Sequence, residues 1–149
     1  MTVDVQTEIV IDQPVGRVAG YAADPSNAPE WYSNIDSVEW KTSPPVALGS
    51  AVSFVARFLG RRLDYTYEIV DYVPGERLVM RTQQGPFPME TTYTWAAVGD
   101  HSTRMTLRNR GEPAGFARVT AGAMQRAMRR ATTKDLQNLK GILEAAPRT

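Results

Sequence analysis

The chain has 149 residues, 42% of them hydrophobic and 22% charged, with 17 basic against 16 acidic side chains. One globular domain over 1–149 with a sizeable core is expected, and a net charge of +1 gives no general pull toward nucleic acid or anionic membranes. The absence of cysteine excludes disulfides, thiolate nucleophiles and thiolate metal sites.

Residues 3–12 are rich in Val, Ile and Thr and predict a strand that Gln13 and Pro14 end. Pro14 suits a helix start, and Val15, Val18 and Tyr21 share a helical face, so 14–23 is expected to be a short helix. Asp24 can cap a second one, with Pro25 at its first position. Two large aromatics, Trp31 and Tyr32, close that segment of otherwise small and polar residues.

The middle reads as strand after strand: 35–42, 50–59, 62–73, 77–84, 89–98 and 102–110. Pro44-Pro45, Gly60, Pro74-Gly75, 85–88 and Gly99-Asp100 separate them, and such short connections imply antiparallel neighbours.

Residues 114–146 contain no proline and are mostly Ala, Met, Leu, Arg, Lys, Gln and Glu, a helix composition. Fully helical, that run spans ~50 Å. Gly115 and Gly122 mark its first half as the place for a bend or a frayed start. Phe116, Val119, Ala123, Ala127 and Ala131 form one stripe, and Met124, Met128, Leu136, Leu139 and Leu143 an adjoining one. An antiparallel sheet needs cover on its apolar face, and this helix alone is long enough to supply it. The expected fold is α+β: about seven curved antiparallel strands around a long C-terminal helix, with two short helices after the first strand.

Alternation sharpens this reading, because every second strand residue faces one side. Val52, Phe54, Ala56 and Phe58 fall together, as do Leu63, Tyr65, Tyr67 and Ile69. Leu78 with Met80, then Met89, Thr91, Tyr93 and Trp95, then Met105, Leu107 and Asn109, continue the pattern. Arg57, Asp64, Glu68, Arg81, Glu90, Arg104 and Arg108 take the other side. The lining turned toward the helix is therefore uncharged, with the hydroxyls of Tyr65, Tyr67, Tyr93 and Thr91 and the amide of Asn109 as its polar groups. The helix half opposite it is expected to be small: Ala117, Ala121, Gly122, Ala123 and Ala127. Small groups against a curved sheet leave either a cavity or a core filled by the aromatic rings.

Several strings, in order, carry a resemblance over nearly the whole chain: IDQPVGRV at 11–18 leading to Asp24-Pro25 and Trp31, then Gly49, YEI at 67–69, Pro74, Arg77-Leu78 and TKDLQNLKGILE at 133–144. The chain resembles the polyketide cyclase/dehydrase-like branch of the START/Bet v 1 (SRPBCC) superfamily. That resemblance implies a helix-grip fold and an elongated cavity for apolar ligands. It also implies that segment 24–34 is part of a lid, with Trp31 or Tyr32 either covering the cavity mouth or anchoring the segment. Relatives of this kind include ring-closing aromatase/cyclases, lipid carriers and hormone receptors, so activity does not follow from fold.

The first expectation is a protein that binds a hydrophobic small molecule, aromatic, polyketide-like or lipid. Candidate ligand-binding residues are Trp31, Phe54, Phe58, Tyr65, Tyr67, Met80, Thr91, Tyr93, Trp95, Asn109, Phe116, Met124 and Met128. The alternative is a cyclase, aromatase or dehydratase using the same cavity without metal or nucleotide cofactor; a third reading is a partner-binding scaffold. No catalytic residue or metal ligand is assigned. His101, the one histidine, falls in a hairpin turn, and Asp64, Glu68 and Glu90 read as outer salt-bridge partners. Arg118, Arg126, Arg129, Arg130, Lys134 and Lys140 read as the solvated back of the helix rather than a nucleic-acid patch, since no aromatics interleave them. No secretory signal opens the chain and no apolar run reaches the ~20 residues of a membrane span. A cytoplasmic protein without integral membrane association or cofactor is expected, and a homodimer is left open.

Overall fold

The computed structural model describes residues 2–85, 87–112 and 120–145. Strand β1 (Val3–Ile11) is followed by helix α1 (Val15–Ala22), a 3-10 turn (Pro25–Asn27) and helix α2 (Ala28–Trp31). Then come β2 (Ile35–Trp40), β3 (Ala51–Phe58), β4 (Arg61–Val73), β5 (Arg77–Gln84), β6 (Met89–Ala97), β7 (Thr103–Gly111) and the long helix α3 (Ala121–Ala145). The expected second short helix is thus split. Asp24 accepts the Ser26 amide at 3.0 Å and caps the 3-10 turn, and Pro29, which lacks an amide hydrogen, stands at the start of α2.

The strands form one antiparallel sheet in the order β1-β7-β6-β5-β4-β3-β2, curled around α3 in a helix-grip arrangement. Tight turns make this meander possible. Leu59 and Gly60 both have positive φ in the two-residue β3–β4 loop, the combination whose twist matches a hairpin. Gly75, at φ +79°, follows Pro74 in the β4–β5 turn. The register sets Phe54 opposite Tyr65, Met80 opposite Thr91 and Tyr93 opposite Leu107. Strand phase follows the alternation: Val52, Phe54, Leu63, Tyr65, Leu78, Met80, Thr91, Tyr93, Met105 and Leu107 are buried. Their charged neighbours pair on the outside, Arg57 with Asp36, Arg108 with Asp4, and Glu90 with both Arg81 and Arg110. Such exposed pairs add about 0–1 kcal/mol each and serve mainly to keep charge off the inner face.

Two apolar clusters make up the interior. Leu136, Leu139 and Leu143 of α3 join Trp31, Leu78, Trp95 and Met105 in the larger one. Met124 and Met128 join Val3, Val5, Leu63, Tyr65 and Phe87 in the other. Between the two, α3 presents Ala131, Thr132 and Asp135.

The helix is rotated relative to the expected small-residue face. Ala121 and Gly122 are exposed, Ala123 and Ala127 are only half-buried, and the Met/Leu stripe takes the buried side. The physical reason is area: Met and Leu remove more apolar surface from water than Ala or Gly, at roughly 25 cal/mol per Å². The expected helix over 114–119, with Phe116, Ala117, Arg118 and Val119, lies outside the described residues. No helix among the described residues is long and apolar enough to cross a membrane.

Candidate functional site

A cavity of about 150 Å³ lies where the two clusters meet, lined by the sheet, α3 and the segment after β1. Strand β3 lines it with Phe54, Ala56 and Phe58, and β4 with Leu63, Tyr65, Tyr67 and Ile69. Leu78 and Met80 come from β5, Met89, Thr91 and Tyr93 from β6, and Asn109 from β7. Helix α3 adds Met124, Met128, Ala131, Thr132 and Asp135. The lid expectation finds a structural counterpart, since Pro25, Ala28, Tyr32 and Asn34 line the cavity too.

Of the ligand-binding candidates, Phe54, Phe58, Tyr65, Tyr67, Met80, Thr91, Tyr93, Asn109, Met124 and Met128 line this space. Two described candidates do not. Trp31 is 1% exposed and packs within the larger cluster, and Trp95 lies in the same cluster. Trp31 is the last residue of α2 and Tyr32 follows it with extended backbone, so the two rings part, Trp31 into the core and Tyr32 to the cavity. Phe116 lies outside the described residues.

The lid segment is tied down from several sides. The Tyr21 hydroxyl of α1 bonds Glu30, Trp40 Nε1 of β2 donates to Ser26 Oγ at 2.9 Å, and Asn138 Nδ2 of α3 donates to the Trp31 carbonyl at 3.3 Å. A further tie enters the cavity wall: the Ser33 amide and hydroxyl both donate to Asp135 Oδ1, at 2.9 and 3.0 Å.

The polar groups gather in one stretch of an otherwise apolar wall. Tyr32 Oη and Tyr93 Oη are 2.5 Å apart, and Thr91 Oγ1 donates to Asn109 Oδ1 at 2.7 Å. Burial pushes the Tyr67 phenol up to about 12 and the Tyr32 and Tyr93 phenols above the ordinary range. Asp135 acts on both of the latter through its charge. These tyrosines are therefore neutral hydrogen-bonding groups at physiological pH.

Asp135 and Thr132 are not among the groups that the sequence singles out, and Tyr32 enters there only as a cover or an anchor. Asp135 is 1% exposed, on a helix turn flanked by Met128, Leu136 and Leu139. Burial raises its pKa, while the two Ser33 bonds and the Lys134 charge pull back toward the usual value. It is the one carboxylate or cation lining the cavity among the described residues. No three acidic or histidine side chains converge among the described residues.

A raised carboxylate pKa works against folding at neutral pH. The folded value lies above the unfolded one, so the stability present below the unfolded pKa is lost as pH rises through the folded pKa. Asp135→Asn removes that loss and keeps an acceptor for Ser33. At pH 7.5 its thermal midpoint is expected above that of the unmodified protein, by about 2–4 °C for each kcal/mol relieved in a chain of this size. The gain shrinks as pH falls through the raised folded pKa and is gone below the unfolded one, and a lower midpoint at pH 7.5 would contradict this reading of Asp135.

Fold and site together define a helix-grip protein with an internal, mainly apolar cavity. The family model described as polyketide cyclase/dehydrase and lipid transport matches residues 2–144. Among solved structures, a START superfamily protein from Mycobacterium smegmatis is 14% identical with a TM-score of 0.82, covering 95% of this chain and 97% of that one. The Zhui aromatase/cyclase from Streptomyces sp. R1128 is 17% identical with a TM-score of 0.77, covering 97% and 94%. Ginseng major latex-like protein 151 from Panax ginseng is 12% identical with a TM-score of 0.73, covering 94% and 96%. No protein of curated function matches the chain in sequence. The chain belongs to the polyketide cyclase/dehydrase and lipid transport family.

Proposed function

We propose that the protein binds a hydrophobic small molecule, aromatic, polyketide-like or lipid, in the cavity between the sheet and α3. The observation that carries this reading is the cavity itself: about 150 Å³ left open in an interior that otherwise packs into two dense clusters. Protein interiors normally leave few such voids, and engineered apolar cavities of comparable volume take up benzene. The reading needs no nucleic acid or cofactor. Native mass spectrometry of freshly purified protein, followed by extraction, is expected to release a bound apolar compound unchanged. Persistent absence of any compound, together with failure to bind one-ring apolar probes, would overturn the reading.

A second reading, a cyclase or dehydratase, is favoured by one observation: Asp135 among the tyrosine hydroxyls. In that reading the carboxylate takes a proton from carbon beside a carbonyl, and a phenol donates to the enolate oxygen as charge develops there. The cavity positions the chain for that step. Conversion of a poly-carbonyl substrate by the unmodified protein, lost in Asp135→Asn, would support it; release of the same substrate unchanged supports binding alone.

A further inference from the structure

The cavity lining holds an unspent donor and an unspent acceptor, close enough for the Asp135 charge to act on both tyrosines. Tyr32 and Tyr93 bring two hydroxyl hydrogens, and the 2.5 Å contact between their oxygens uses one of them. The other is left for a third partner. Asp135 is engaged through one oxygen only: both Ser33 bonds fall on Oδ1, and Oδ2 makes no hydrogen bond to a described residue. Asp135 lines the cavity and is 1% exposed, and a charged acceptor in such a place takes a partner from water or from a guest.

One small group satisfies both at once. A hydroxyl accepts from the phenol and donates to the carboxylate. An ether oxygen only accepts. A carboxylate on the guest only accepts, and it sets like charge against Asp135. An ammonium only donates, and it surrenders its hydration to an apolar wall.

We propose that the cavity selects guests bearing a neutral hydroxyl, phenolic or aliphatic, which accepts from the Tyr32–Tyr93 pair and donates to Asp135 Oδ2, and that it rejects the corresponding carboxylate. This rests on the binding function proposed above and adds the chemical class of its ligand. The groups that act on this stretch are consistent with it. Tyr32 comes from the end of α2, Tyr93 from β6 and Ser33 from the lid. The two cations felt by lining groups, Lys134 at Asp135 and Arg61 at Tyr65, do not line the cavity themselves.

The test uses the full chain at pH 7.5 and three matched probes, 4-propylphenol, 4-propylanisole and 4-propylbenzoate, titrated by NMR. The phenol is expected to bind tightest, by about tenfold over the benzoate and several-fold over the anisole. In Asp135→Asn the phenol's lead over the benzoate is expected to narrow. Equal affinities for all three in the unmodified protein, or a preference for the benzoate, would overturn the inference and leave the binding function standing. Failure of all three to bind would remove the binding function and the inference together. The order in the unmodified protein decides the matter even if the variant does not fold.

Discussion

Trp31→Ala is expected to cost about 3–5 kcal/mol of folding stability and, by the same cause, to loosen the lid over the cavity. The indole is 1% exposed, with its ring centroid 4.2 Å from Tyr32 and 5.8 Å from Tyr93. It belongs to the cluster that holds Leu136, Leu139 and Leu143 of α3. Truncation leaves a hole among α2, α3 and the sheet that none of the three can close alone. Trp31 is therefore the anchor of the lid rather than its cavity-facing surface, which Tyr32 supplies. Urea unfolding measures the loss, and a midpoint within experimental error of the unmodified protein would contradict the anchor assignment. Tyr32→Phe makes the comparison sharper. It keeps the ring and removes the hydroxyl bonded to Tyr93, so its effect should fall mainly on the binding of hydroxyl-bearing probes.

Ala56→Phe is expected to weaken 4-propylphenol binding by more than about tenfold while leaving the fold intact. Ala56 is 8% exposed, lines the cavity and lies between Phe54 and Phe58 on the inner face of β3. A phenyl ring at that position enters the space a one-ring guest would take. Cavity filling can itself stabilise a protein and overpacking costs about 1–3 kcal/mol, so affinity is read on a variant that thermal unfolding shows to be folded. Unchanged affinity in a folded variant would place the guest elsewhere.

The strand half of this site was legible in the sequence because alternation has a period of two and a one-residue error is visible at once. Phe54, Tyr65, Tyr67, Met80, Thr91 and Tyr93 all reach the cavity from phase alone. Trp95 shows the limit of that logic. Phase puts it on the inner face, but not at which point along β6 the cavity gives way to packed core. The helix was harder, since a period of 3.6 spreads apolar residues over two adjoining stripes. Choosing between the alanine stripe and the Met/Leu stripe depends on the rotation of α3 about its own axis, which packing against β1 decides. Asp135 left a signal that was available: it lies seven residues after Met128 and eleven after Met124, on the greasy stripe itself. A charged residue at such a position is rarely buried without a role. Trp31 and Tyr32 are adjacent at the end of a four-residue helix, too short for periodicity to say which ring turns inward.

Whether a guest occupies the space between sheet and helix can be read from carbon-13 methyl NMR of the methionines. Met80, Met89, Met124 and Met128 line the cavity, while Met105 is fully buried in the larger cluster outside the lining. On titration with 4-propylphenol, the first four methyl resonances are expected to shift together and saturate at one affinity, with Met105 little changed. Shifts absent from all four at saturating probe, or found at Met105 alone, would mean that no guest sits between the sheet and α3.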